Sequence, residues 1–188
     1  MVDDTETDGL LMAATPLAKF PRPSLAVEPS AVLDMLSMFG LAGYQCAVGL
    51  AVFTSESFLD AYSFNLVNDP DAEHHHSIDA GYTAINFTFY WPLCVAFRPQ
   101  TYPPLTSRQV FDPVCATAAA VIIYVDAGGR ANPVKGWSRW TQFKNGKYLP
   151  HRAAALALAK TKWGPGYVNH LDPAPVDPAD YLRTHTGV

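Results

Sequence analysis

Residues 46–57 read CAVGLAVFTSES and residues 77–86 read SIDAGYTAIN, so that each stretch holds one carboxylate, Glu56 or Asp79. The first stretch is apolar on every side of a helix as far as Phe53, which is typical of a helix buried in a core. Glu56 then lies where this core opens to solvent. A carboxyl group there is poorly solvated, and we expect its pKa to be raised. Asp79 stands among Ser, Thr and Asn side chains, and we expect it to stay ionised.

The composition is that of one globular domain with enough chain for a sizeable core. Of the 188 residues, 49% are apolar and 16% are charged. The formal net charge of -4 argues against nucleic acid as a partner and gives no overall attraction to an acidic polymer. The sequence has no run of 18 apolar residues, so we expect no membrane span. Its acidic start, MVDDTETDGL, is unlike a secretory signal.

The chain divides into three regions by composition. Residues 1–28 carry early acidic residues and three prolines, which predicts an extended N-terminal arm. Residues 29–164 contain the periodic apolar segments of a folded, catalytic domain. Residues 165–188 contain four prolines and are predicted to form a C-terminal tail.

Apolar spacing and capping residues predict a mainly helical domain. The predicted helices span residues 30–40, 44–55, 112–127 and 151–163. Strand character at residues 64–67 and 82–89, with a turn at 68–71, predicts a small β-hairpin beside the helices. We therefore expect an α+β fold, mainly α, in which the hairpin flanks a cleft in a helical core.

Two carboxyl groups whose surroundings push their pKa values apart are typical of a glycosidase. Five motifs along residues 43–148 resemble, in this order, the lysozyme superfamily, which includes phage and bacterial lytic transglycosylases. The motifs are Glu56-Ser57-Phe58, Ser77-Ile78-Asp79-Ala80-Gly81 with Ile85-Asn86, Phe111-Asp112-Pro113, the pair Trp137 and Trp140, and FKNGKY at residues 143–148.

The resemblance implies a lysozyme-like fold and a role for each matching residue. Glu56 would be the general acid that protonates the leaving glycosidic oxygen. Asp79 would stabilise the oxocarbenium-like charge or act as the nucleophile, as in the lysozymes for which this mechanism is described. Trp137 would form an apolar wall that keeps Glu56 protonated and would also contact substrate. The other expected sugar contacts are Ser77, Tyr82, Asn86, Asn145 and Tyr148. No metal or organic cofactor is expected.

Several features of the sequence leave alternatives open. Ala84 stands where the family has Gln, which removes a polar group from the cleft. The loop between the carboxylates contains Glu73-His74-His75-His76, for which a solvated loop is favoured over a metal site because adjacent residues rarely converge on one ion. Three cysteines are predicted to be buried free thiols, although one disulfide is possible.

The expected substrate is the β-1,4 bond between N-acetylmuramic acid and N-acetylglucosamine in peptidoglycan strands. The expected protein is a bacteriophage lysin, either associated with the virion tail or made as an endolysin in the host cytoplasm. Its arms are expected to contact other virion proteins. The alternatives are a lytic transglycosylase that forms 1,6-anhydro products, a catalytically weak virion protein that binds the cell wall, and a chitinase-like hydrolase.

Overall fold

The computed structural model of the chain describes residues 25–68, 76–86 and 107–185. Within these residues the fold is mainly helical with little strand, as the sequence predicted. The predicted arm before residue 25 and residues 73–75 of the histidine-rich loop lie outside the described residues. The helices are α1 (Pro29–Met38), α2 (Gly43–Ser57), α3 (Ser107–Phe111), α4 (Pro113–Asp126), α5 (Pro133–Trp137), α6 (Thr141–Lys144), α7 (Leu149–Trp163) and α8 (Pro178–Thr184), with a 3₁₀ turn at Tyr167–Asn169.

Helix α2 lies in the middle of the core and is buried along most of its length, as its apolar sequence predicted. Ala47 and Ala51 have no exposed surface, and α1 and α7 pack along the helix. Small residues allow this close packing: a Cβ on Gly49 would lie 2.6 Å from the Trp137 ring and 2.9 Å from Leu36 Cδ1. The C-terminal turn of α2, at residues 54–56, is only half-buried.

Helix α4 is the second core helix, and its start follows the predicted capping pattern. Asp112 Oδ1 accepts a hydrogen bond from the Cys115 backbone N–H over 2.8 Å. Pro113 occupies the first helical position. Proline is tolerated there because the first N–H groups of a helix make no hydrogen bond within the helix. The helix ends before Gly128, whose φ of +85° suits a residue without a Cβ.

In the part of the chain that the structure describes, the β-structure is a three-stranded antiparallel sheet rather than the predicted hairpin, while residues 69–71 of the predicted turn and 87–89 of the predicted strand lie outside that part. Its strands, in order, are β1 (Phe64–Asn68), β2 (His76–Ala80) and β3 (Ile85–Asn86). The strand predicted from residue 82 begins only at residue 85, because residues 81–84 form a turn. Gly81 has a φ of +72°, and a Cβ there would lie 2.4 Å from the Val110 carbonyl oxygen. This close approach of two backbones makes glycine necessary at the turn.

Residues 165–185, predicted as a tail, pack onto the helices. Backbone hydrogen bonds join this segment to both ends of the α1–α2 connection. Gly43 N–H donates to the His170 carbonyl over 2.8 Å, and Val176 N–H donates to the Met38 carbonyl over 2.7 Å. The Gln109 side-chain amide donates to the last described carbonyl, that of His185, over 2.6 Å. This C-terminal segment is therefore integrated with the helical body.

None of the helices in the described residues is long and apolar enough to cross a membrane. Cys46 and Cys115 are free and buried, as predicted for the thiols, whereas Cys94 lies outside the described residues. Burial raises the pKa of the Cys115 thiol to about 12, so this group stays protonated at neutral pH.

We predict that Gly43→Ala destabilises the protein because its new Cβ would lie 2.0 Å from the Tyr167 carbonyl oxygen in the C-terminal segment. The expected loss in the free energy of unfolding is about 1–3 kcal/mol, as for other overpacked sites. Urea denaturation followed by circular dichroism measures it. Gly166→Ala is the matched control, since a Cβ there has no heavy atom within 4 Å. Equal stability of the two variants would contradict the packing of this segment on α2.

Candidate active site

Glu56 lies in the half-buried last turn of α2, where its carboxylate meets the segment that leads into α6. Its Oε1 accepts a hydrogen bond from the Gln142 backbone N–H over 3.0 Å. Burial is the largest influence on this carboxyl group and raises its pKa above the ordinary value of 4.5. The Gln142 hydrogen bond opposes this rise, the negative charge of Asp79 adds to it, and the nearby Lys144 and Lys147 oppose it. Glu56 is therefore a weaker acid than an exposed glutamate.

Asp79 lies on the middle strand of the sheet, between Asn65 on β1 and Asn86 on β3 in the strand register. The residue is half-buried. Its charge acts on Glu56 although the two residues belong to different layers of the fold. The fold thus brings the two predicted carboxylates within electrostatic reach of each other, one on the sheet and one on the half-buried end of α2.

Ser57 links these two elements. Its hydroxyl lies 2.6 Å from the Tyr82 carbonyl oxygen, in the turn after β2, and 3.1 Å from the Phe53 carbonyl oxygen in α2. The shorter contact makes Tyr82 the better acceptor of its single proton. The same oxygen accepts the Leu59 N–H over 3.1 Å. The residue after Glu56 therefore joins the helix end to the strand turn that follows Asp79.

The chain leaves α2 through two consecutive non-glycine residues in the left-handed region, Phe58 with φ 54° and Leu59 with φ 61°. Such conformations are uncommon for bulky residues and cost free energy, so the surrounding contacts must hold them. Leu59 is buried, and its carbonyl accepts the Val27 N–H over 2.9 Å. Phe58 is instead 80% exposed beside Glu56. The left-handed exit turns the chain away from the helix axis immediately after the carboxylate.

The tryptophan pair belongs to the core. Trp137 is 1% exposed and its ring packs against Phe53 and Tyr124. The indole N–H of Trp140 donates to the Thr83 carbonyl over 2.8 Å. Both rings contact Phe53, which precedes Glu56 by about one helical turn. They therefore contribute to the apolar surroundings of this end of α2. The expectation that Trp137 contacts substrate is wrong in this structure, because its ring has almost no accessible surface.

Tyr82 is also placed differently from the expectation. Its side chain has no exposed surface, and its hydroxyl hydrogen-bonds to the Thr117 hydroxyl within the core. Burial raises the pKa of the Tyr82 hydroxyl above its ordinary value. A buried side chain cannot contact a sugar, so Tyr82 is a structural residue that anchors the turn between β2 and β3.

The remaining expected contacts lie on two segments near the carboxylates in sequence or strand register. Asn145 is exposed in the turn after α6, and Tyr148 is half-buried with its ring stacked on Phe143 at 4.8 Å between centroids. Both follow Gln142 within six residues of the chain. Ser77 lies on β2, two residues before Asp79, and Asn86 lies opposite Asp79 on β3.

Sequence reasoning missed Gln142, the residue whose backbone binds the Glu56 carboxylate. No pattern reveals this contact, because any residue except proline supplies a backbone N–H and the two positions are 86 residues apart. Among the described residues, no group of three or more His, Cys, Asp or Glu side chains is arranged to hold a metal ion. The two carboxyl groups at this site are suited to proton transfer and charge stabilisation.

We predict that Ser57→Ala lowers the free energy of unfolding by about 1–3 kcal/mol, because it leaves buried backbone groups without their partner. Urea denaturation measures this loss. Thr54→Val is the matched control: it also removes one hydroxyl from the end of α2, but that hydroxyl bonds only the Leu50 carbonyl within the helix. A Thr54→Val loss as large as that of Ser57→Ala would contradict the linking role of Ser57.

Comparison with known proteins yields no match: no protein-family model, no curated protein and no solved structure is similar to this chain.

Proposed function

We propose that this chain is a lysozyme-like glycosidase that cleaves the β-1,4 bond between N-acetylmuramic acid and N-acetylglucosamine in peptidoglycan. One observation carries the proposal: a half-buried glutamate with a raised pKa, Glu56, lies within electrostatic reach of a second carboxylate, Asp79. Glycosidases use such a pair, in which one group stays protonated while the other is charged. The order of the five motifs supports a lysozyme-like fold and selects peptidoglycan as the polymer.

Glu56 would act as the general acid on the leaving oxygen. Its Oε1 accepts the Gln142 N–H, so the protonated form would carry its proton on Oε2 and would donate it from there. A fixed carboxyl group that is still protonated near the working pH is an efficient donor, because its pKa matches the task. Burial supplies the raised pKa, and the hydrogen bond supplies the orientation.

Asp79 would stabilise the positive charge that develops on the sugar ring, or attack it directly. Its place on the middle strand, with a neighbour on each side, gives it a fixed backbone position relative to the end of α2. Retaining enzymes hold the two carboxyl groups about 5–5.5 Å apart, whereas inverting enzymes hold them about 6.5–9.5 Å apart to admit a water molecule. The product stereochemistry therefore reports which role Asp79 has.

Lytic transglycosylation is the second candidate. It needs the acid but no second carboxylate, and Glu56 is tied to the helical body independently of the sheet through Gln142. The two reactions differ in product, since hydrolysis leaves a reducing end and transglycosylation leaves a 1,6-anhydro sugar. The biological setting that we propose is a bacteriophage lysin, and this part rests on the resemblance alone.

We predict that Glu56→Gln lowers the rate of peptidoglycan cleavage about 10²–10⁴-fold, the usual contribution of a positioned acid. Mass analysis of the soluble products from purified walls measures the rate and identifies the ends. Glu28→Gln is the matched control: it makes the same chemical change at an exposed position, and it should leave the rate within about twofold. If the wild type releases no fragments from several walls, the proposal is wrong and a wall-binding structural role replaces it.

We also predict that activity is lost as the pH rises through the raised pKa of Glu56, because the carboxyl group then loses the proton it must donate. The same group affects stability. Its folded-state pKa lies above its unfolded value, so its contribution to stability is complete below the unfolded pKa and is lost as the pH rises through the folded one.

The pH dependence has two independent readouts. Turnover measured against pH should fall as Glu56 loses its proton. The free energy of unfolding measured against pH should show Glu56→Gln becoming more stable than the wild type as the pH rises through the same range. Asp79→Asn removes a charge that raises the Glu56 pKa, so carboxyl NMR of this variant should report a lower value. An unchanged Glu56 pKa in Asp79→Asn would contradict the pairing of the two carboxylates.

A further inference from the structure

The net charge of the chain conceals a strong separation of charge along it. Residues 127–171 contain eight of the 13 lysine and arginine residues and none of the 17 aspartate and glutamate residues. This basic stretch includes α5, α6, α7 and the 3₁₀ turn. The remainder of the chain is strongly acidic. The net charge of -4 therefore describes neither residues 127–171 nor the rest of the chain.

Two residues of the basic stretch, Lys144 and Lys147, lie beside the candidate acid; we call them the basic rim. Lys144 ends α6, two residues after Gln142, whose N–H binds the Glu56 carboxylate. Lys147 follows the turn at Gly146, where φ is +70°. Both side chains are exposed, and both charges reach Glu56.

Neither lysine of the basic rim forms a salt bridge with another described residue. By contrast, Lys162 forms a salt bridge of 2.8 Å with Asp34. The Arg152 guanidinium donates to the Tyr44 hydroxyl over 2.6 Å and lies over its ring. Lys144 and Lys147 thus present two exposed ammonium groups at the edge of the site.

We propose that the basic rim binds anionic oxygen groups carried by the wall polymer next to the bond that is cleaved. This inference rests on the proposed function and adds to it a charged determinant of substrate recognition. Such groups are the carboxylates of peptide stems attached to the sugars and the phosphates of polymers linked to the glycan. Ammonium groups on flexible stems suit either, because they bind as mobile point charges without a fixed fork geometry.

The basic rim would act through exposed charges, so its binding depends on ionic strength. Interactions of this kind are screened at high ionic strength, where the Debye length falls to a few ångströms. Binding through the basic rim must therefore weaken with added salt.

The test uses the full chain with Glu56→Gln as background, so that binding to insoluble walls is measured without digestion. The rim variant carries Lys144→Gln and Lys147→Gln. The control carries Arg130→Gln and Lys160→Gln, which make the same change in net charge at exposed positions of the same stretch. Affinity is measured by sedimentation with purified walls at about 0.02 M and about 0.5 M salt, where screening differs strongly.

We expect the rim variant to bind walls about three- to twentyfold more weakly than the background at low salt, as for two exposed charge pairs. The control should change binding by less than about twofold, and the difference should vanish at high salt. Equal losses in both variants would overturn the proposal, because net charge would then suffice. No loss, or a loss that is independent of salt, would overturn it as well.

Treated walls identify the anionic group. Walls freed of phosphate polymers by hydrofluoric acid retain the rim effect if stem carboxylates are bound, and walls with amidated stem carboxylates retain it if phosphates are bound. Neutral chitin oligosaccharides should bind the rim variant and the background alike, and a matching loss there would overturn the proposal. If the wild type cleaves no wall, the proposed function is wrong. The binding results would still show whether the basic rim binds anionic groups.

Discussion

The Ser57 hydroxyl joins the end of a buried helix to the turn that follows the middle strand, and so links the elements that carry the two carboxylates. The contact spans 25 residues, and it is made by the residue directly after Glu56. The left-handed exit at Phe58 and Leu59 has a steric cost, which the bonds to Ser57 and Val27 offset.

The electrostatic state of Glu56 is a balance among influences of opposite sign. Burial and Asp79 disfavour its charged form, whereas the Gln142 N–H and the two lysines of the basic rim favour it. Burial is the largest of these, so the pKa is raised, but the opposing groups keep the carboxyl group titratable. A general acid needs this intermediate state, because it must both hold and release its proton near the working pH.

The charge distribution shows why composition is a poor guide to partners. A net charge of -4 argues against attraction to an acidic polymer only if charge is spread evenly over the surface. In this chain eight of the 13 basic residues fall within residues 127–171, and two of them, Lys144 and Lys147, act on Glu56. Local fields act over about a Debye length, near 10 Å at 0.1 M salt, so the charges nearest the site matter more than the net charge.

Local patterns in the sequence predicted the long helices α1, α2, α4 and α7 and the position of Glu56 at the end of α2, but not the short helices α3, α5, α6 and α8. The apolar run before Phe53, the Asp112-Pro113 cap and the small residues of α2 and α4 act through nearest neighbours, which a sequence displays directly. The strand predicted from residue 82 was wrong because the chain turns at Gly81, where its backbone lies close to the Val110 backbone, a contact that no local pattern contains. Tyrosine and tryptophan occur both in sugar-binding sites and in protein cores. In this structure Tyr82 and Trp137 are buried and belong to the core. The Gln142 bond to Glu56 and the packing of residues 165–185 on α1 and α2 likewise belong to tertiary structure alone, because backbone groups distant in sequence carry no signature of the partner they will meet.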